Sequence, residues 1–413
     1  MISLLATGAL AFCLQPTTTP LGQEPEAPQR SWTITADKVH TISGDVIENG
    51  SVTVTDGRIT AVGPAAGEGD LHVVAITPGL VDLGARISLG DDSVEQIKES
   101  TPAMRITDAW NPYSTRFGRE LQSGVTTVLM VPPDRNVIGG LGAAVKTGGP
   151  LEERLIADET VVAAVIGSQP SAGNSPAFRR PNGLFNRRPT TRMGVEWVAR
   201  KAFYDALAKA EGKLDPEPLE AAGLDVLGRV LSGDLPFFVA AEATQDIRTA
   251  IFLKEEFGFP RLILDSAAEA WKEPKLLQRS GASVVLPPFS WSGRTGQAGG
   301  FMAWDTVELL EELEVTYALS GQGNRNRDQR LFLQPAFAVR AGGTPALALA
   351  AATLTPAQMI GIDDRVGSIE VGKDADLCFW NGEPTRFTTD VIGVMVGGEL
   401  AVDPREASAH KLR

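Results

Sequence analysis

The sequence predicts an α/β protein built on a (β/α)8 barrel, with a small β-sandwich domain formed jointly by the two ends of the chain. Three observations predict it. Residues 31–77, after an apolar leader and its linker, alternate short β-type runs with turns. Eight compact apolar runs then recur through the middle, most followed by a loop and a helical pattern. After about Gly361 the β-type pattern returns, in GSIEVGKDADLCFWNGEP and DVIGVMVGGELAVD. The organisation is therefore a leader and linker over 1–30, a composite β-sandwich from 31–77 plus 361–403, a barrel over 78–360, and a tail over 404–413.

Taken in order, residues 2–14 (ISLLATGALAFCL) form an apolar run followed by QPTTTPLGQEPEAPQR. The run is shorter than the roughly 20 residues that span a bilayer and has the size of a signal-peptide core. No Lys or Arg precedes it. Export to a periplasmic or other extracytoplasmic compartment is expected, with no transmembrane helix. LAFC resembles a lipoprotein cleavage box with a bulky Phe12, so lipid anchoring on Cys13 is the lesser alternative. With the leader removed, Cys378 stands alone; its flanks (ADLCFW) read as a buried strand and the thiol as a core group.

SWTITADKVHTIS, SVTVTDGRITAVG and LHVVAIT, separated by Glu48-Asn49-Gly50 and Asp56-Gly57, make the N-terminal antiparallel unit. The eight barrel runs are GLVDLGA (79–85), VTTVLMV (125–131), GAAVK (142–146), TVVAAVIG (160–167), PFFVAA (236–241), RLILDS (261–266), SVVLPP (283–288) and VTYALS (315–320). Among the helical stretches, TQDIRTAIFLKEEFG puts Ile247, Ala250, Ile251 and Phe257 near one face.

Composition bounds the chemistry. The 413 residues carry 38 Lys and Arg against 51 Asp and Glu, a formal charge of −13, so phosphate backbones are repelled and no nucleic-acid partner is expected. The only three histidines are His40, His72 and His410. Imidazole chemistry is thus excluded from the whole stretch between residues 73 and 409. There is no Gly-x-Ser-x-Gly elbow, P-loop or Cys–His pair. IGGLGAAVK has Val145 where a dinucleotide loop needs glycine and reads as strand, not helix.

ITPGLVDLGAR (76–86) resembles the metal-dependent amidohydrolase signature Pro-Gly-[Leu/Ile/Val]-[Ile/Val]-Asp-x-His-x-His. The stretch 351–384, AATLTPAQMIGIDDRVGSIEVGKDADLCFWNGEP, is similar to that superfamily's closing segment. DAWNPYS (108–114), SGVTTVLMVPPDRNVIGGLGAAVKT (123–147) and PTTRMGVEWVARKAFYDA (189–206) resemble its imidazolonepropionase-like branch. The resemblance runs in order over residues 33 to 403. It implies the same barrel and terminal β domain, and a hydrolysis in which one or two divalent metals at the strand C-termini activate water while a last-strand Asp shuttles the proton.

Carried over residue by residue, that chemistry lacks its donors here. The His-x-His pair falls on Gly84 and Arg86, the fifth-strand His on Ala240, the sixth-strand His on Ser266, and the last-strand Asp on Gly321. TVVAAVIGS offers no Lys or Glu for the fourth strand, and Lys146 is the only lysine near it. Asp82 survives, in a role expected to be structural. A bound metal takes water from a pKa of about 15.7 to about 7, roughly 12 kcal/mol of activation that no remaining carboxylate replaces. No metal or other cofactor and no catalytic residue is therefore assigned, and Arg86 itself would repel a divalent cation.

Pocket candidates remain. Arg86 with Lys146 could hold a small anion at the barrel mouth, against the plainer reading of salt bridges with Glu242 and Asp265. The loop FRRPNGLFNRRPTTR carries Arg179, Arg180, Arg187, Arg188 and Arg192, expected as a solvated surface or an acidic-partner dock; Arg325 and Arg327 in GQGNRNRDQR follow the last barrel strand. The expected function is that of a catalytically inactive amidohydrolase-like protein, a binding module or a scaffold or regulatory partner in a homo- or hetero-oligomer with an active relative. The alternative is a hydrolase of carbon–nitrogen bonds in cyclic or other non-peptide amides, with an unconventional site of Glu242, Asp265 and Lys146.

Overall fold

The structure, a computed structural model, describes residues 31–85, 87, 93–95, 98–172, 174, 188–289, 294–295, 300–321 and 330–406. The leader with Cys13, and Arg86, Arg179, Arg180, Arg187, Arg325, Arg327 and His410, lie outside these residues.

Strands β1 (Ser31–Val39), β2 (Ile47–Thr55), β3 (Arg58–Pro64) and β4 (Leu71–Pro78) form the N-terminal part of one sheet. Its order is completed by β15 (Leu377–Trp380), β16 (Val391–Val396) and β17 (Glu399–Val402) as β17-β16-β15-β4-β1-β2-β3. Chain ends meet at β4 and β15, where Leu377 opposes Pro78 and Trp380 opposes Ala75. These seven strands form one continuous hydrogen-bonded sheet. Its buried side chains, among them Ile34, Val52, Val73, Leu377, Phe379 and Met395, make a core of their own.

The second sheet has eight strands: β5 (Leu80–Asp82), β6 (Val125–Met130), β7 (Ile138–Lys146), β8 (Leu155–Val165), β9 (Phe237–Ala240), β10 (Leu262–Asp265), β11 (Ser283–Leu286) and, after a two-stranded ribbon of β12 (Arg294–Thr295) and β13 (Gly300–Phe301), β14 (Tyr317–Leu319). All eight predicted runs fall on these strands. One side chain or more from each of the eight, Val81, Leu129, Ala144, Val161, Phe238, Ile263, Val285 and Ala318, packs into one interior cluster, as a barrel requires. Helix α9 (Leu354–Ile360) contributes Ala357, Met359 and Ile360 to that cluster and floors it. The Arg261 guanidinium, just before β10, donates to the Met359 carbonyl (3.1 Å), which fixes α9 at the N-terminal end of the strands.

The barrel departs from eight parallel strands at one place. β7 runs antiparallel to both β6 and β8. The cause is connection length: only residues 131–137 and 147–154 join it to its neighbours, and a parallel crossover needs a dozen or more residues. Helices therefore flank the other strands only: α1 (Thr115–Gln122) before β6, α2 (Arg192–Ala210) and α3 (Pro218–Ser232) before β9, α4 (Thr244–Phe257) before β10, α5 (Pro274–Ser280) before β11, and α6 (Thr306–Glu312) before β14. α7 (Gln334–Arg340), α8 (Pro345–Ala350) and α9 follow β14. Among the described residues no helix is long and apolar enough to cross a membrane. Cys378, in β15, is fully buried, and burial pushes its thiol up to about 12, the state of an unreactive core group.

Reversal of β7 also decides where Lys146 goes. Lys146 opposes Thr127 near the start of β6, at the floor of the barrel. There its ammonium, 3% exposed, lies 2.8 Å from Asp374 Oδ2 and 3.0 Å from Asp376 Oδ1. Arg365 Nη2 reaches the same Asp374 oxygen at 2.7 Å, and the Gly397 N–H donates to Asp376 Oδ1 at 2.7 Å. Both aspartates lead into β15, so this cluster ties barrel to sheet. Burial by itself would raise Asp374, but Lys146 and Arg365 together hold its carboxyl below the usual carboxylate range. Its pairing therefore stabilises the fold above about pH 4 and is lost as the pH falls through the lower folded-state value. Lys146→Ala removes the cation shared by Asp374 and Asp376, leaving Asp374 to its arginines, and is expected to cost about 3 kcal/mol in denaturant unfolding at pH 7. The deficit should shrink in acid, where the aspartates protonate in either protein.

Candidate functional site

Ligand and catalytic groups of a barrel belong at the C-terminal ends of its strands. At that end the first and last strands meet at Asp82, the final residue of β5, which is fully buried. Its Oδ1 accepts the Gly84 N–H at 2.8 Å, and its Oδ2 accepts the Gly321 N–H at 2.9 Å. One carboxylate thus bridges the two positions where the resemblance would put a first-strand histidine and the last-strand aspartate. Nearby, β14 and β5 are not hydrogen-bonded to each other; residues after α8 fill the seam, with the Leu319 N–H donating to Ala351 O and the Val81 N–H to Ala352 O.

Both glycines are packed against neighbours. A Cβ on Gly84 would lie 2.2 Å from Ser320 Oγ and 2.8 Å from Ser320 Cβ. A Cβ on Gly321 would lie 2.5 Å from the Leu331 nitrogen. Room for an imidazole at 84 or a carboxylate at 321 is taken by side chain in one case and backbone in the other. Ala240 is buried at the end of β9, and Ser266, just past β10, takes a left-handed backbone conformation (φ 55°). None of these four side chains offers a strong metal donor, and among the described residues no group of three or more His, Cys, Asp or Glu is arranged to hold a metal ion. The described residues therefore do not fit the divalent metal that the resemblance implies.

Of the predicted pocket residues, Asp265 and Glu242 share the mouth. Ala240 pairs with Asp265 across β9 and β10, and the Ala241 N–H donates to Asp265 O. Asp265 is buried and lines, with Pro132, Asp134, Asn136 and Ala240, a recess of about 10 Å³, the room of a single water. Lys146 does not join them. It sits at the opposite end of the barrel in its own ion pairs, so the site of Glu242, Asp265 and Lys146 is not assembled; the anion site of Arg86 with Lys146 lies in part outside the described residues. The cause is the antiparallel β7. His40 and His72 also lie away from the mouth, in β-sheet surroundings: His40 beside Glu383, where burial lowers its pKa, and His72 beside Asp37.

Sequence reasoning passed over Asp246. It lies in the first turn of α4, 4% exposed, with Arg192 Nη2 at 3.3 Å. Burial pushes its carboxyl up to about 6 against the pull of Arg192, and Glu242 and Glu269 add to the rise. The signal was available: in helical register Asp246 shares the buried face of Ala250 and Phe257. Thus two members of the arginine loop are placed. Arg192 serves Asp246, while Arg188 is an exposed partner of Glu99 at 3.1 Å.

A family model for the amidohydrolase family matches residues 305–401. Amidohydrolase tasK of Hapsidospora irregularis is 25% identical over 400 residues, covering 87% of this chain and 40% of tasK. The chain therefore spans less than half the length of that relative. An imidazolonepropionase of Erwinia tasmaniensis is 23% identical over 396 residues, covering 86% of this chain and 91% of that enzyme. Among solved structures, an amidohydrolase from Thermotoga maritima superposes with a TM-score of 0.75 at 29% identity, covering 89% of this chain and 99% of that one.

The packing at the mouth makes two expectations. Gly84→Ala should cost about 1–3 kcal/mol by overpacking, and adding Ser320→Gly should restore most of it; chemical denaturation of the single and double variants reads both. Because its pKa is raised in the fold, Asp246 contributes stability that is full below about pH 4 and is lost as the pH rises through about 6. Asp246→Asn should therefore flatten the pH dependence of the unfolding midpoint between those values.

Proposed function

The chain belongs to the amidohydrolase family, and from that premise we propose that it keeps the family's barrel without the family's metal-activated hydrolysis. In this reading it is an exported binding or scaffold protein, regulating or assembling with an active relative. The observation that carries the proposal is the use made of the first- and last-strand positions. Gly84 is closed by Ser320, Gly321 by Leu331, and the carboxylate between them is spent on two backbone N–H groups. A water made nucleophilic by metal gains roughly 12 kcal/mol from the drop in its pKa. Glu242 or Asp265 acting as a lone general base supplies far less, of the order of 10²–10⁴-fold.

A second reading has one observation in its favour. Asp246, held near pKa 6, titrates in the range useful to a general acid or base, and Glu242 and Asp265 stand close by at the same end of the barrel. On that reading the chain hydrolyses a carbon–nitrogen bond in a cyclic or non-peptide amide without the family's ligands. The names of the relatives point to the same bond class.

Metal analysis of the purified full chain separates the two from a conventional enzyme. Substoichiometric Zn, Mn and Fe, unchanged after incubation with each metal and desalting, is the expected result. One equivalent of any of them would overturn the proposal. Turnover of a hydantoin-like amide that Glu242→Ala abolishes would replace the first reading by the second.

A further inference from the structure

Helix α2 has apolar side chains on both sides. Its inner face buries Val195, Val198, Ala199, Ala202, Phe203 and Ala206. Its outer face exposes Met193 (77%), Trp197 (55%), Tyr204 (54%) and Leu207 (37%). At 100° per residue those four fall within about 80° of arc, one stripe along the helix. Phe252 on α4, itself 40% exposed, lies one turn from Glu256, which accepts the Tyr204 hydroxyl hydrogen bond at 2.8 Å, and it widens the patch. Aromatic anchors of this kind, exposed and contiguous, mark interaction surfaces more than solvated faces.

The spacing of the stripe identifies its occupant. Positions 193, 197, 204 and 207 are nearly symmetric about residues 200 and 201. A second α2 laid antiparallel would set Met193 against Leu207 and Trp197 against Tyr204, twice, as a two-fold axis requires. Charge follows the same symmetry. Arg188, just before the helix, has a side chain 71% exposed. Just beyond the other end lie the exposed Glu211, Asp215 and Glu217, with Glu211 paired to Lys213 and the other two carrying the acidic charge. Antiparallel pairing brings each basic end against an acidic one; parallel pairing would oppose like charges. At the centre, Arg200 and Lys201 are already neutralised within each copy, by Glu196 and Glu256 and by Asp205.

We infer that the outer face of α2 is a self-association surface, through which two copies of this chain form an antiparallel, two-fold symmetric dimer anchored by Trp197 and Tyr204. It stands independently of what the barrel mouth binds.

Sedimentation velocity on the full chain tests it. Wild type should run as a dimer and Trp197→Asp as a monomer with an unchanged far-ultraviolet spectrum. Arg188→Glu should weaken the dimer several-fold, and Asp215→Lys in the same chain should restore it. If W197D fails to fold, K201C keeps the test open, because residue 201 lies beside the axis. Mild oxidation should then give a disulfide-linked dimer that wild type, with only Cys13 and Cys378, does not give. A wild type that stays monomeric, including one that instead captures an active amidohydrolase, would overturn the inference. So would a dimer that neither W197D nor R188E disturbs and K201C does not link.

Discussion

The architecture turns on one carboxylate. A barrel of strands must close, and here the first and last strands share no ladder of their own. Asp82 spans the gap by accepting one N–H from each side, at Gly84 and Gly321. Full burial makes those two bonds matter: an unsatisfied carboxylate in that position would carry the whole cost of its desolvation. The same bonds fix the backbone of the two positions at which the family's chemistry would be expected. Closure and chemistry thus compete for the same few atoms at the mouth. In this chain the packing of Ser320 and Leu331 against the two glycines favours closure.

At the opposite end, a second buried charge cluster sets how barrel and sheet sit together. Lys146 and the segment bearing Arg365, Asp374 and Asp376 come from two distant parts of the sequence, and none of the four can be moved to the mouth without unpairing the others. A buried ion cluster is weak as a source of net stability but strong as a determinant of register, because a misplaced sheet leaves charges unpaired. That is the physical reason the closing Gly-Lys-Asp-Ala-Asp-Leu segment reads so clearly in the sequence while contributing nothing to the mouth.

The strands were legible because each is a short run of apolar residues bounded by turn formers, and all eight runs lie in the barrel sheet. Direction was not legible from those runs. It was written in the connections, since seven residues between β6 and β7 cannot carry a crossover. Treating β7 as parallel placed Lys146 at the mouth, beside Glu242 and Asp265. The terminal strands of the two chain ends meet in one sheet, but a sequence pattern gives inward-facing residues without saying whether they face a second layer or a neighbouring element. Asp246 was legible in part: helical register puts it on a buried face, but only the fold brings Arg192, at the start of α2, to it. The absence of imidazole from the barrel needed no structure at all.

The join between β4 and β15 has a consequence for synthesis. β4 ends at Pro78 and its partner begins at Leu377, so 299 residues separate the two edges that must meet. At roughly 5–20 residues per second, the ribosome takes about 15–60 s to supply the missing strand. Until then β4 presents an open row of backbone donors and acceptors on one edge, its other edge being already paired with β1. An unpaired edge of that kind invites foreign strands. The sheet of this chain is therefore completed late, since residues 377–402 supply the strands that seal an edge made at residues 71–78.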